Sequence, residues 1–184
     1  MKGSQTIEDR INLLSKLDKI YCVSEFVKKR FLIGVIDNLN KVVVLHNGVI
    51  RTQKTIPKKQ KQIIYVGRIV KEKGVDLFVN AIKDIYQDFK DWNFKIIGSP
   101  KLGINKLDDF SIKIKKDFEA LGERAKVTGF INSKKLNKIM SDTSVIVIPS
   151  VWKEPFGLVA AEAMSNGIAV ISSNSGGLPE IICN

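Results

Sequence analysis

Two glutamates, Glu154 and Glu162, stand eight residues apart in the stretch Glu154-Pro155-Phe156-Gly157-Leu158-Val159-Ala160-Ala161-Glu162. Paired carboxylates first suggest glycoside hydrolysis, and the spacing argues against it. On a continuous helix, eight residues at about 1.5 Å rise separate two backbones by roughly 12 Å. Retaining glycosidases hold their carboxyl groups about 5–5.5 Å apart, and inverting ones about 6.5–9.5 Å. Two contacts along one extended ligand suit this pattern better. Gly157 would let a ligand approach the backbone, and the N–H groups beyond it could receive an anion. Pro155 is suited to the first helical position, where its missing N–H is no loss. A solvated helix carrying its acids by chance is the plain alternative, and the Pro-Phe-Gly turn weighs against it.

Other chemistries fall away by count and spacing. His46 is the only histidine. It stands beside a linker-like segment, with no Gly-x-Ser-x-Gly elbow to complete a Ser-His-Asp hydrolase. A histidine-rich metal site is excluded by number, and no metal ligands are expected. There is no Gly-x4-Gly-Lys-Ser/Thr phosphate loop and no Gly-x-Gly-x-x-Gly after a strand. A P-loop nucleotidase and an ordinary dinucleotide oxidoreductase therefore find no support. No cofactor is implied.

The elements that must position these residues follow from hydrophobic period. Ile7, Ile11, Leu14 and Leu17 have helical spacing and predict an amphipathic helix over Ile7–Leu17. Ile20–Val23 reads as a strand, Ser24 as the cap of a helix running to about Leu32, and Val42–Leu45 as a second strand. The chain then turns polar and Lys-rich around Pro57, which predicts a linker over 51–62. Beyond it, strands are expected at Ile63–Val66, Phe94–Ile97, Lys126–Thr128, Val145–Ile148 and Ala169–Ser172. Helices are expected at Gly74–Gln87, Ile112–Leu121, Ser133–Ser141, Phe156–Asn166 and Gly177–Ile182. Alternating fully apolar strands and helices predict an α/β fold, a parallel sheet covered on both faces. In such sheets, ligands sit at the carboxyl ends of the strands.

Composition is that of an ordinary globular chain: 184 residues, 44% apolar and 27% charged. No apolar run approaches the roughly 18 residues of a membrane span. The polar opening Met-Lys-Gly-Ser-Gln-Thr-Ile-Glu is unlike a secretory signal. Cys22 and Cys183 have no metal-binding spacing, which makes a reduced, cytoplasmic location the default. The net charge of +11 is spread over Lys28-Lys29-Arg30, Lys58-Lys59, Lys113 to Lys116 and Lys134-Lys135. Solvated faces explain such spread clusters. Peripheral contact with an anionic membrane is the next reading, because each basic residue near such a surface adds about 1 kcal/mol. No RNP-like strand, zinc finger or recognition helix accompanies the charge, so nucleic acid is not an expected partner.

The Glu154–Glu162 stretch resembles the nucleotide-sugar signature of the retaining GT-B glycosyltransferases known as group 1 or family 4. His46-Asn47-Gly48-Val49, Val66-Gly67-Arg68 with Lys73-Gly74-Val75-Asp76, Val127-Thr128-Gly129-Phe130 and Gly176-Gly177-Leu178-Pro179-Glu180 also match, in the family's order. Each motif alone is weak; five in order are specific. The resemblance spans about residues 18–182. It implies residues 1–50 as the tail of an N-terminal acceptor domain, and 63–184 as a Rossmann-like nucleotide-sugar-binding domain that stops short of the family's usual end. On that comparison the chain is expected to be mainly the donor-binding half.

The resemblance also implies roles. Arg68 and Lys73 would grip the diphosphate that leaves with negative charge, beside Gly67 and the backbone of Gly157 and Leu158, next to Phe156. Glu154 would face the donor sugar's hydroxyls and support positive charge at the anomeric carbon. Glu162 would hydrogen-bond the ribose, and Gly129 and Phe130 would border the base, a packing turn being their alternative. The implied donor is a UDP-, GDP- or ADP-hexose, and the implied acceptor a cell-envelope glycan or glycolipid, with retention and without a required metal. A non-catalytic or decayed nucleotide-binding module is the competing expectation.

Overall fold

The computed structural model describes residues 12, 14–33, 39–50, 57–101, 103 and 106–182. Most of the helix expected over Ile7–Leu17, half of the linker and Cys183 fall outside these residues. The N-terminal unit pairs β1 (Ile20–Cys22) in parallel with β2 (Val42–Val44), joined by α1 (Glu25–Phe31) and a short 3-10 turn (Leu39–Lys41). Ser24 caps α1 as its sequence predicts: its hydroxyl accepts the Val27 N–H at 3.0 Å.

The larger unit is a five-stranded, all-parallel sheet. Its strands are β3 (Gln60–Val66), β4 (Asn93–Ile97), β5 (Ala125–Val127), β6 (Thr143–Ile148) and β7 (Ala169–Ser172), in the order β5-β4-β3-β6-β7. The chain steps outward from β3 through α2 (Val75–Ile85) and α3 (Asp109–Glu119). It then returns through α4 (Ser133–Asp142) to β6 and through α5 (Leu158–Ser165) to β7, ending in α6 (Leu178–Ile181). Outward and returning crossovers of one hand must lie on opposite faces of the sheet. The two cores bear this out. Phe78, Ile82, Ile114 and Phe118 of α2 and α3 pack with Tyr65, Phe94 and Ile96 on one face. Met140 of α4 and Ala163 of α5 pack with Ile64, Ile97 and Ile146 on the other.

Local sequence explains the main helices. Val75, Phe78, Val79 and Ile82 of α2 are all buried, at spacings of three and four that put them on one stripe. Asp108 and Ser111 form a reciprocal capping box that starts α3. Asn132 starts α4 by accepting the Lys135 N–H at 2.9 Å. Each fully buried Phe or Ile in these stripes adds about 1.5–3 kcal/mol.

Several boundaries differ from expectation, and two of them bear on the packing and the site. β3 begins at Gln60, three residues early, because the buried Gln62 donates to Thr143 at 2.7 Å and so joins the strand without an unpaired polar group. The helix expected from Phe156 begins only at Leu158, with Pro155 left in a bend before it. Gly157, at φ 113°, turns the chain into a left-handed conformation that a helix cannot continue. Pro155 therefore does not open a helix. Pro179 does occupy the first turn of one, in α6.

Candidate functional site

The strand order reverses between β3 and β6, the switch point at which open α/β sheets leave a crevice. A cavity of about 360 Å³ lies there, at the carboxyl ends of both strands. Val66 and Gly67 come from β3 and its exit, Ile148 and Ser150 from β6 and its exit, and Lys73 from the turn before α2. Glu154, Phe156, Gly157, Leu158 and Val159 form the opposite wall, while Val23 and Asn47 reach in from the N-terminal unit. Asn47, from the His46–Val49 motif, thus also faces the cavity.

The centre of the cavity is an ion pair. Lys73 Nζ donates to Glu154 Oε1 at 2.5 Å, and the Ser150 hydroxyl donates to the same oxygen at 2.7 Å. The two side chains are 24% and 14% exposed, so water screens the pair only in part. Backbone contacts make the platform stiff: the Glu72 carbonyl accepts the N–H groups of both Val151 and Trp152, at 3.0 and 2.9 Å. Lys73 and the loop before Glu154 are therefore carried by one cross-bonded junction. Glu154 was expected to face a sugar; in this structure one of its oxygens is held by Lys73 and Ser150.

A second cavity, of about 190 Å³, adjoins the first across Val66, Gly67 and Val159. Its walls are mostly apolar, Ile97, Gly98, Ile131 and Leu136 among them, with Arg68, Ser99 and Phe130 also lining it. Arg68 itself is exposed. The Gly129 carbonyl accepts the Gly98 N–H at 3.0 Å, which joins the Gly129–Phe130 turn to the end of β4. Glu162 lines neither cavity. It lies one turn beyond Leu158 on α5, on the helical face it shares with Leu158 and Val159. Glu162 is exposed, yet surrounding protein desolvates its carboxyl enough to raise its pKa above the usual value.

Some site residues had no signal in the sequence. Tyr65 lines the larger cavity, and its buried hydroxyl donates to the Arg68 carbonyl at 2.6 Å, which shapes the turn at Gly67. Burial pushes its phenol well above the ordinary pKa, and the neighbouring Glu154 charge adds to the rise. Ser150 is one serine among many until the fold places it against Glu154. Among the described residues no cluster of His, Cys, Asp and Glu could hold a metal ion.

The chain matches the family model described as "Glycosyl transferases group 1" over residues 47–184. The chain belongs to this family. Among curated relatives, it is 35% identical over 167 residues to the uncharacterized glycosyltransferase MJ1178 of Methanocaldococcus jannaschii, covering 90% of this chain and 42% of that protein. It is also 35% identical over 127 residues to spore coat protein SA of Bacillus subtilis, covering 67% of this chain and 33% of that protein. The chain thus spans less than half the length of these curated relatives. A glycosyltransferase from Rickettsia africae superposes with a TM-score of 0.80 at 21% identity, over 99% of this chain and 51% of the other. Anabaena HepE in complex with UDP and glucose superposes with a TM-score of 0.74 at 20% identity, over 99% and 52%. At such identities the likeness establishes the fold, the Rossmann-like half of a GT-B glycosyltransferase.

Proposed function

We propose that the chain binds a nucleotide sugar across the two adjoining cavities and is the donor-binding half of a retaining hexosyltransferase. The observation that carries this reading is the Lys73–Glu154–Ser150 cluster set at the switch point beside an apolar slot. The slot between Gly98 and Phe130 takes the base, and Glu162 on the rim takes the ribose hydroxyls. Lys73 and Arg68 flank Gly67, where they meet the diphosphate. The first N–H groups of α5 have no partner within their own helix and add donors for the same anion.

As the bond from the anomeric carbon to the diphosphate breaks, its electron pair passes to the phosphate oxygen. Fixed cations at that oxygen lower the barrier because they are in place before the charge develops. Glu154 supports the opposite charge, which develops at the anomeric carbon. Its bonds from Lys73 and Ser150 hold its carboxylate in place. The acceptor is a cell-envelope glycan or glycolipid, and the reaction proceeds with retention and without a required metal. HepE was crystallised with UDP and glucose, and the same donor chemistry is proposed for this chain. The spread of positive charge fits a peripheral contact with an anionic membrane, where such an acceptor would be presented. No helix among the described residues is long and apolar enough to cross a membrane.

Calorimetric titration of the chain with UDP, GDP and ADP tests the reading, with Glu162→Ala as control. One nucleotide should bind saturably, with affinity about tenfold lower in the variant, as expected for a lost charge-assisted hydrogen bond. No binding by folded chain would overturn the donor-site assignment.

A further inference from the structure

The larger cavity is complete only when the N-terminal unit is docked, since Val23 and Asn47 form part of its wall. Three of the polar contacts that dock this unit converge on Glu180. Its Oε2 accepts the Glu25 N–H at 2.7 Å, and its Oε1 accepts the Phe26 N–H at 2.8 Å. One carboxylate thus holds the first two N–H groups of α1 from the other unit. His46 Nε2 lies 3.3 Å from Glu180 Oε2, and the His46 ring packs on Phe156 at 5.6 Å between centroids. Alongside, the Ser24 hydroxyl donates to the Pro155 carbonyl at 2.5 Å.

The glycines before Glu180 make this junction possible. A Cβ on Gly177 would stand 2.6 Å from the Pro155 carbonyl oxygen and 3.1 Å from Ser24 Cβ. A Cβ on Gly176 would collide with the Glu154 backbone. Two backbone segments therefore meet at a distance only glycine permits, Glu154–Pro155 of the cavity wall and the start of α6, with the Ser24 side chain of the N-terminal unit packed against them. The Gly177 N–H also donates to the Glu154 carbonyl at 2.7 Å. Glu180 is thereby tied to Glu154 through the Gly177 N–H and to Phe156 through the His46 ring.

We propose that Glu180 is a positioning residue: by capping α1 across the junction it holds the N-terminal unit against the Pro155–Phe156 turn and so closes the donor cavity. It touches no donor atom itself. The carboxylate's ionisation suits the role. Burial pushes its pKa up, but the Glu25 and Phe26 N–H groups and His46 outweigh burial, and the net shift is downward. The latch is thus charged under ordinary conditions. Coupling to ligand follows from reciprocity: if closure favours donor binding, donor binding must favour closure.

The closure itself can be tested apart from the donor-site reading on which its purpose rests. Residue-resolved amide hydrogen exchange on the 184-residue chain reads the latch directly, at Glu25 and Phe26, in wild type, Glu180→Gln and Glu180→Ala. Loss of a helix cap predicts about tenfold faster exchange at both amides in Glu180→Ala, with the core of β3 unchanged and Glu180→Gln intermediate. Unchanged exchange in Glu180→Ala would overturn the latch. Should Glu180→Ala fail to fold, Glu180→Gln alone decides: wild-type exchange at both amides would overturn the role of the charge. Adding the nucleotide that binds wild type should slow exchange at Glu25 and Phe26, and Glu180→Ala should bind it more weakly. A nucleotide that binds wild type and variant equally, without slowing either amide, would leave the donor site standing and overturn its coupling to Glu180. If no nucleotide binds wild type, the donor-site reading fails, while the exchange of apo chains still decides the latch.

Discussion

Removing Lys73 should harm the protein twice, and the two effects can be separated. The first is on the fold. Lys73 and Glu154 meet at 2.5 Å, with side chains 24% and 14% exposed. Exposed pairs contribute about 0–1 kcal/mol, whereas stripping one partner from a buried pair costs about 3–5 kcal/mol. This pair lies between those limits, and Ser150 still donates to Glu154 at 2.7 Å after Lys73 is gone. Lys73→Ala should therefore destabilise the chain by about 2 kcal/mol, a fall in Tm of roughly 4–8 °C for a domain of this size. Glu154→Ala should cost a similar amount. The double variant should cost less than the sum by about 1 kcal/mol or more, because each single change removes the same interaction. Urea unfolding of the four proteins supplies the cycle. The second effect is on binding: Lys73→Ala should weaken the nucleoside diphosphate about tenfold or more and the nucleoside little. Strict additivity in the cycle would refute the ion pair as an energetic unit. Equal loss for diphosphate and nucleoside would refute the anion contact.

Two further outcomes follow from charge. Glu162 has a raised pKa in the folded chain, so its contribution to stability is fully present below the ordinary carboxylate pKa and is lost as pH rises through the folded value. Ribose hydroxyls donate more strongly to the ionised form, so nucleotide affinity should fall as pH falls through that value. Calorimetry across pH should show this slope in wild type and a flat profile in Glu162→Gln; matching profiles would reject the ribose role. For the membrane, Trp152 is 56% exposed, and Lys153 beside it is exposed as well. Vesicles containing anionic lipid should shift its emission to the blue, and salt should reverse the shift. An equal shift with neutral vesicles would reject electrostatic attraction.

Much of this protein was legible in one dimension because its elements are local. The short apolar runs at Ile63–Val66 and Val145–Ile148 read as strands of a sheet covered on both faces, and Gly74–Gln87 as a helix between strands. Ser24 announces a helix start because a cap bonds its own chain three residues on; Asp108 caps in the same way but was missed, and its helix begins three residues earlier than expected. The roles of Lys73 toward an anion and of Glu154 and Glu162 toward hydroxyl groups came from the family resemblance of the motifs that hold them, and not from the residue types alone.

What the sequence could not decide depends on groups far apart in the chain. Glu154 looked free to face a ligand, but a lysine 81 residues earlier takes one of its oxygens. Pro155 looked like a helix start, yet its carbonyl is engaged by Ser24 from 131 residues away, and Gly157 delays the helix to Leu158. Glu180 read as the end of a motif; in the fold it caps a helix 155 residues earlier in sequence. Spacing in sequence reports neighbours within one element, because helices and strands repeat every few residues. Partners across elements are selected by how the sheet is ordered, and that order brings β3 beside β6 and opens the crevice only after the whole chain has packed.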